Sequence, residues 1–314
     1  MRWVNVTAAV ATLAVVVWSV GTGPFLDGLQ AVDGGALAAA CALAVLTTVC
    51  CAWRWRIVAR GLGVDLPLGT AVAAYYRSLF LNVTLPGGLV GDVHRGISHG
   101  RDTSDVGRGL RAVAWERSAG QVVQAALTIA VLLLVPSPVR GAMPVVAAAL
   151  VAAAVGVALA ARAQRQARRR SLAAPGGAAR LARWRTLAAH ELRDGVLARR
   201  AWPAIALASA LVVAGHATTF VIAARTAGAT ASAAELLPLA LLVLLAAALP
   251  NIGGWGPREG VTAWAFAAAG LGASVGVATA VVYGVMVFVA SLPGAAVLVG
   301  AWVARTRSAG ALHV

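Results

Sequence analysis

Ionisable side chains that interrupt apolar segments are the residues of this sequence most suited to binding or catalysis. A charge at the centre of a bilayer costs about 2.5–3.5 kcal/mol on insertion scales, so a charged residue at that depth is a functional candidate. The alternative for Arg95, Glu116 and Arg117 is that their side chains extend to the membrane interface. The candidates are Arg77, Asp92, Arg95, Glu116, Arg117, Arg258 and Glu259.

Arg258 and Glu259 are neighbours in the sequence, and neighbouring side chains of a helix point in different directions. Each is therefore predicted to pair with a residue from another segment. The predicted pairs join the two charged regions of the chain: Arg258 with Glu116 or Asp92, and Glu259 with Arg95 or Arg117.

Arg258 also lies where a helix is predicted to begin, directly after Pro257. The free N–H groups and the dipole of a helix N-terminus favour an anion, and a guanidinium can bind a phosphate through two hydrogen bonds. The segment therefore predicts a site for an anionic lipid headgroup. A metal site is not predicted, because His94 and His99 lack a third ligand, and no cofactor is expected.

Two segments carry most of these charges, and proline and glycine break the apolar run in both. Leu249–Gly260 lies between apolar residues 236–249 and 261–271, and Leu85–Gly96 repeats its pattern of Leu-Pro, glycines and charge. Backbone interrupted in this way is stable in a bilayer only where protein buries it or a polar cavity hydrates it. The interrupting residues are Pro86, Gly87, Gly88, Gly91, Pro250, Gly253, Gly254 and Gly256.

The composition is that of an integral membrane protein. Of the 314 residues, 60% are apolar and 12% are charged, whereas soluble domains carry about 25% charged residues. The net charge of +15 comes from Arg, since the sequence contains no Lys. These Arg residues flank apolar runs, so the expected partners are anionic membrane lipids rather than nucleic acid.

Several enzyme classes lack their sequence signals. No nucleotide-binding loop or dinucleotide fingerprint is present, and the three cysteines share one apolar run without a metal-binding pattern. The residues of a possible hydrolase triad fall on separate segments: Ser118, Asp194 and His216. We therefore expect no enzymatic activity.

The apolar runs predict an all-α polytopic protein with about six full spans and two broken re-entrant hairpins. Residues 21–35 contain no Arg and are predicted to form an outer connection. Arg-rich flanks predict that both termini are cytoplasmic. The last span either crosses once with a kink or breaks at Pro293. The predicted spans are 3–20, 36–53, 112–135, 143–161, 202–224 and 274–304.

The order of segments predicts one transmembrane domain, residues 1–314, built from two pseudo-repeats, 3–135 and 143–304. Three crossings per half would invert the second half relative to the first, so that one hairpin enters from the cytoplasm and the other from outside. Many transporters have this plan, and their broken helices form the binding site near the midplane. A single tilted span is the alternative for residues 66–91.

The connection 162–201 is the most Arg-rich part of the chain and is predicted to be cytoplasmic. Within it, residues 178–200 repeat apolar side chains at helical spacing. An amphipathic helix lying on anionic lipid is one interpretation, and a solvated basic loop is the other.

Three ordered motifs resemble the transmembrane domain of lysylphosphatidylglycerol synthases, a flippase-like family that also occurs as stand-alone membrane proteins. They are Asn82–Arg95 (NVTLPGGLVGDVHR), Glu116-Arg117 and Leu249–Glu259 (LPNIGGWGPRE). Two positions depart from the family pattern. Asp92 stands where a Glu is usual, and Pro257 stands where a looser polar residue is common.

The resemblance implies a role in lipid movement, because in the larger relatives this domain is thought to move aminoacylated phosphatidylglycerol between leaflets while a separate soluble domain makes the lipid. Such a soluble domain is not found after Arg307, so a stand-alone form without synthase activity is expected. The predicted headgroup site comprises Asn82, Asp92, Arg95, Glu116, Arg117, Arg258 and Glu259.

The leading functional hypothesis is a bacterial inner-membrane flippase for an anionic or modified phospholipid or a lipid-linked glycan. One alternative is a non-transporting, lipid-binding scaffold for a cell-envelope synthase or glycosyltransferase. The other is a membrane-embedded transferase with Glu116 or Glu259 as its base.

Overall fold

A computed structural model describes Trp18 and residues 22–85, 88–135, 190–247 and 256–310. Several predictions lie outside these residues. They concern nearly all of span 3–20, span 143–161, most of the basic connection, and the hairpin residues Pro86, Gly87, Pro250, Gly253 and Gly254.

The described residues form helices and no strand, as the sequence predicts. Ten α-helices follow in order: α1 (Gly23–Ala31), α2 (Gly34–Gly61), α3 (Leu68–Thr84), α4 (Val90–Asp102), α5 (Val106–Leu134), α6 (Trp202–Thr226), α7 (Ala233–Ala246), α8 (Pro257–Ala268), α9 (Ala273–Ser291) and α10 (Pro293–Gly310).

Four helical stretches among the described residues are long and apolar enough to cross a membrane: α2, α5, α6, and α9 together with α10. At 1.5 Å per residue, the 28 residues of α2 span about 42 Å, more than the ~30 Å hydrocarbon core. Side chains cap the starts of α2 and α5. Asp33 accepts from the Ala36 N–H at 2.8 Å, and Asp105 accepts from the Arg108 N–H at 2.8 Å.

The first broken segment folds as a pair of short helices, α3 and α4, joined by residues 85–89. The helices are antiparallel, because Asn82 near the end of α3 contacts Gly91 at the start of α4, whereas Arg77 contacts Ser98 further along. Their backbones meet closely at Gly91, where an added Cβ would lie 2.0 Å from the Ser78 carbonyl oxygen. We call α3 and α4 the first hairpin.

The second broken segment also divides into two helices that pack against each other, α7 and α8. A capping box begins α7, since Ser232 and Glu235 exchange hydrogen bonds. Pro257 is the first residue of α8, and the Gly256 before it has a φ of +119°, a conformation that favours glycine. We call α7 and α8 the second hairpin.

Helices α2, α6 and α9 pack against one another at the centre of the described bundle. Helices α2 and α6 are antiparallel, because Arg54 contacts Ser209 while Thr47, earlier in α2, meets Gly215, later in α6. The largest apolar core joins α6, α7, α8 and α9 around Phe220 and Phe266. The core of the first half lies around Trp55 and Tyr75.

The structure adds detail to two sequence predictions. Residues 21–35 are not only a connection, because they contain α1, whose Gly28 packs against the Ala278 carbonyl oxygen of α9. The long run 274–304 divides into α9 and α10 at Leu292. The backbone of Leu292 keeps helical angles (φ −55°, ψ −32°), so the interruption by Pro293 does not reverse the chain.

The end of the basic connection is fixed to the bundle. Residues Glu191–Val196 form a turn of π-helix, which is all that the structure describes of the predicted amphipathic helix besides its last few residues. The Glu191 carboxylate accepts hydrogen bonds from Arg111 at 2.7 Å and from Trp115 at 3.1 Å. This contact holds the turn beside α5.

We expect Gly91→Ala to destabilise the protein, because the new methyl group would collide with the backbone of α3 and such overpacking costs about 1–3 kcal/mol. The matched control is Gly69→Ala in α3, where nothing lies within 4 Å of an added Cβ. The free energy of unfolding in detergent micelles should fall for Gly91→Ala and stay level or rise for Gly69→Ala. Equal stability of both variants would contradict the packing of the first hairpin.

Candidate functional site

Glu116 of α5 lies at the centre of a group of charged side chains inside the bundle. Its side chain is fully buried, and its Oε1 atom accepts from Arg54 Nε at 2.9 Å and from Tyr75 Oη at 3.0 Å. Its Oε2 atom accepts from Arg95 Nη2 at 3.0 Å. One carboxylate therefore joins helices α2, α3, α4 and α5.

Asp92, the third residue of α4, is the second carboxylate of this group. It accepts from Arg95 Nη2 at 3.0 Å, from Arg117 Nη2 at 2.5 Å and from Asn82 Nδ2 at 3.0 Å. Ser78 donates a further hydrogen bond at 3.2 Å. Asp92 and Glu116 thus share Arg95, which connects their hydrogen bonds into one network.

Aromatic rings hold Arg95 in place. Its guanidinium carbon lies 4.4 Å from the centroid of the Trp55 ring and 4.1 Å from that of Tyr75. Both distances are within the range of cation–π attraction. The Arg95 side chain is completely buried, so bulk solvent is kept away from these contacts.

We call Arg54, Asp92, Arg95, Glu116 and Arg117 the buried charge cluster. Three guanidiniums face two carboxylates, so these five side chains carry one net positive charge. Arg117 is the accessible member, since its side chain is 38% exposed. The four buried members balance one another, so the excess positive charge belongs to the partly exposed Arg117, where it favours an anion.

Hydrogen-bonding atoms beside the cluster have no partner among the described residues. They are Nε and Nη1 of Arg95, Nε1 of Trp55 and Nε2 of His99. The rings of Trp55 and His99 pack edge to face with their centroids 5.2 Å apart. Arg95 and Trp55 are donors, so this side of the cluster is suited to an oxygen-bearing ligand or to water.

The second hairpin holds a separate, electrically neutral ion pair. Arg258 donates to Glu259 Oε1 through Nε at 2.9 Å and through Nη2 at 2.5 Å. The other oxygen of Glu259 accepts from the Gly256 N–H at 2.6 Å. Both side chains are buried. The Arg258 guanidinium also lies 5.4 Å from the centroid of the Tyr283 ring.

The predicted pairing between the two hairpins is wrong. Arg258 pairs with its neighbour Glu259, and the partners of Glu116 and Asp92 come from the first half of the chain. The physical reason is the position of Glu259 in the first turn of α8. Its carboxylate turns back to the Gly256 N–H and so meets the Arg258 side chain.

The structure brings together the first-half candidates Asn82, Asp92, Arg95, Glu116 and Arg117 and holds the second-hairpin pair apart from them. Arg77 makes a different contact, with Nη2 at 3.5 Å from Ser98 Oγ. Among the described residues, no cluster of His, Cys, Asp or Glu is suited to hold a metal ion.

A cavity of about 70 Å³ lies next to the buried charge cluster, between α2, α3, α6 and α9. Most of its wall area is apolar, although half of the lining residues carry a polar group. Those polar residues are Thr47, Thr48, Cys51, Tyr75, His216, Thr219 and Ser291.

Comparison with protein families gives a match over residues 3–294 to the family described as "Lysylphosphatidylglycerol synthase TM region". The chain belongs to this family. Its membership and the four long apolar helical stretches of its described residues make it a membrane-embedded, multi-pass protein of a lipid-related family. Comparison with curated proteins and with solved structures gives no match.

Membership of the lysylphosphatidylglycerol synthase TM family confirms the resemblance on which the sequence analysis drew. The motif Asn82–Arg95 spans the tip of the first hairpin, and Glu116-Arg117 faces it from α5. The third motif includes the start of α8. Two of the three motifs therefore build the buried charge cluster.

Sequence reasoning missed Arg54, Tyr75 and Ser209 as members of this network. The sequence places Arg54 among the Arg residues that mark the cytoplasmic end of span 36–53, yet it is 5% exposed and donates to Ser209 Oγ at 2.9 Å. The spacing of the Arg residues could have indicated this buried position. Arg54 precedes Arg60 by almost two helical turns, which leaves it inside α2 rather than at its end.

We expect Glu116→Gln to cost about 3–5 kcal/mol of stability, because it leaves Arg54 and Arg95 as buried cations without their carboxylate. The control is Asp65→Asn, which breaks an exposed pair with Arg60 and should cost less than about 1 kcal/mol. The free energy of unfolding in micelles measures both. A cost below 1 kcal/mol for Glu116→Gln would refute its central role.

Proposed function

We propose that this protein binds a lipid with an anionic, phosphate-bearing headgroup at the buried charge cluster and moves it between the leaflets of a bacterial inner membrane. One observation carries the proposal, which is the net positive charge of the cluster, with its excess charge on the partly exposed Arg117, inside a membrane domain. Family membership supports the lipid as the class of substrate.

A phosphodiester carries one negative charge, which matches the excess charge of the cluster. Arg117 offers the entry point because it is partly exposed and forms its ion pair through Nη2. Arg95 supplies further N–H groups that lack acceptors among the described residues. Guanidinium groups suit this task because their planar N–H groups bind phosphate oxygens in pairs.

The helix order supports an inverted repeat. A long helix, a hairpin and a long helix occur twice, as α2–α5 and as α6–α9. Because α2 and α6 are antiparallel, the first hairpin starts at one end of the bundle and the second starts at the other. Transporters with inverted repeats expose a central site to each side in turn, which is the motion that lipid transfer requires.

Moving a lipid between leaflets does not change the lipid chemically. We therefore propose that the protein is not an enzyme. The Arg-rich connection and both termini face the cytoplasm in this proposal. The expected partners are anionic membrane lipids and a cell-envelope synthase or glycosyltransferase that makes or uses the lipid.

Purified protein in liposomes with fluorescent phosphatidylglycerol provides the test. We expect the wild type to accelerate exchange between leaflets and Arg117→Gln to slow it at least tenfold, since a hydrogen bond to a charged group contributes about 1.5–3 kcal/mol. Arg117→Lys, which keeps the charge, should retain more activity than Arg117→Gln.

The matched control is Arg108→Gln, which removes a positive charge from the same helix but at an exposed pair with Asp105. It should leave the exchange rate within twofold of the wild type. Binding of the lipid without exchange would instead support the scaffold hypothesis. A chemically altered lipid, detected by mass spectrometry, would support a transferase.

Reporter fusions test the orientation. Gly63 and Gly228 lie in turns with φ of +79° and +89°, after α2 and α6 respectively. We expect a cytoplasmic signal from a fusion at Gly63 and a signal from outside the membrane at Gly228. Signals from the same side at both positions would be incompatible with the inverted repeat.

A further inference from the structure

The cavity beside the buried charge cluster has a composition that differs from that of the cluster. Small and aliphatic side chains form most of its wall, among them Ala44, Leu79, Met286 and Ala290. Apolar pockets with a few fixed polar groups are typical ligand sites. Its volume of about 70 Å³ is well below the ~300 Å³ of a pocket for a whole drug-sized molecule, so it admits only a short segment of a larger ligand.

Tyr75 connects the cavity to the cluster. It lines the cavity, its hydroxyl donates to Glu116 at 3.0 Å, and its ring lies 4.1 Å from the guanidinium carbon of Arg95. A ligand bound at Arg95 therefore needs to extend past only one side chain to reach the cavity.

His216 connects the cavity to the second hairpin. It lines the cavity, and its Nδ1 atom lies 3.3 Å from the hydroxyl of Tyr283. The Tyr283 ring in turn packs against Arg258. The cavity thus lies between the charged sites of both hairpins.

We infer that this cavity binds the uncharged part of the lipid next to the headgroup, namely the glycerol backbone and the first methylenes of an acyl chain. The inference rests on the proposed function, because it places the phosphate at the buried charge cluster. A phospholipid changes from charged to polar to apolar over a few bonds. The path from Arg95 past Tyr75 to Leu79 and Met286 changes in the same order.

The polar groups of the cavity fit this occupant. The hydroxyls of Thr47, Thr219 and Ser291 each donate to a carbonyl oxygen of their own helix. Because these protons are already donated, the hydroxyls leave no unpaired donor in the cavity, which suits an esterified backbone and acyl chain that have no donor of their own. No charged side chain from the described part of the chain lines the cavity, so the phosphate itself gains more at the cluster.

The test fills the cavity from two helices with Ala44→Leu in α2 and Ala290→Leu in α9. The matched control is Ala42→Leu, an exposed residue of α2 that does not line the cavity. Two probes are titrated against each purified protein in micelles: short-chain phosphatidylglycerol, which has the glycerol backbone and acyl part, and soluble dimethyl phosphate, a phosphodiester that lacks both.

We expect both cavity variants to bind phosphatidylglycerol at least tenfold more weakly and dimethyl phosphate within twofold of the wild type. The control should bind both probes like the wild type. Unchanged binding of phosphatidylglycerol by the cavity variants, or an equal loss of both probes, overturns the inference while the proposed function stands. A wild type that binds neither probe overturns both.

A second measurement needs no variant and so does not depend on whether the variants fold. Phosphatidylglycerol with a photoreactive diazirine on an early acyl carbon is cross-linked to the wild-type protein, and the adducts are mapped by mass spectrometry. Adducts on Leu79, Met286 or Val287 support the inference. Adducts confined to exposed side chains such as Val122 and Leu133 of α5 overturn it.

Discussion

The first half of the structure depends on the ion pairs and hydrogen bonds of one carboxylate, that of Glu116. A buried carboxylate is stable only when it is paired and hydrogen-bonded, and Glu116 achieves this with Arg54, Tyr75 and Arg95 from three other helices. Arg54 extends the network to Ser209 of α6. The first hairpin, α2 and α5 are therefore held in one arrangement by the need to satisfy a single side chain.

Glycines allow the helices that carry these charged side chains to pack closely together. Gly91 brings α4 against α3, and Gly109 of α5 would place a Cβ only 2.4 Å from the Gly96 carbonyl oxygen of α4. Gly120 leaves the space that the Arg54 guanidinium fills, since a Cβ there would lie 2.6 Å from Nη1. Close approach of backbones shortens the distance that each charged side chain must span, so the packing and the electrostatics depend on the same small residues.

The two hairpins place a carboxylate at the same position, but the net charge around that carboxylate differs. Asp92 and Glu259 are each the third residue of the second helix of their hairpin. Asp92 pairs with guanidiniums from α4 and α5 within a cluster that keeps an excess positive charge, whereas Glu259 neutralises the adjacent Arg258. An anion therefore gains more at the first hairpin, and the cavity between the hairpins offers an uncharged space beside it.

The sequence by itself determined the membrane class, the helical architecture, the two broken segments and most charged residues of the network. These follow from local properties, namely apolar length, proline and glycine, and the cost of a charge in lipid. Only the tertiary structure decided the pairing. Arg54 and Glu116 are 62 positions apart, and helix packing alone brings them together, so Arg54 looked like an interfacial residue. Arg258 and Glu259 pair with each other because the Gly256 N–H redirects the Glu259 carboxylate, a geometry that helical spacing does not predict.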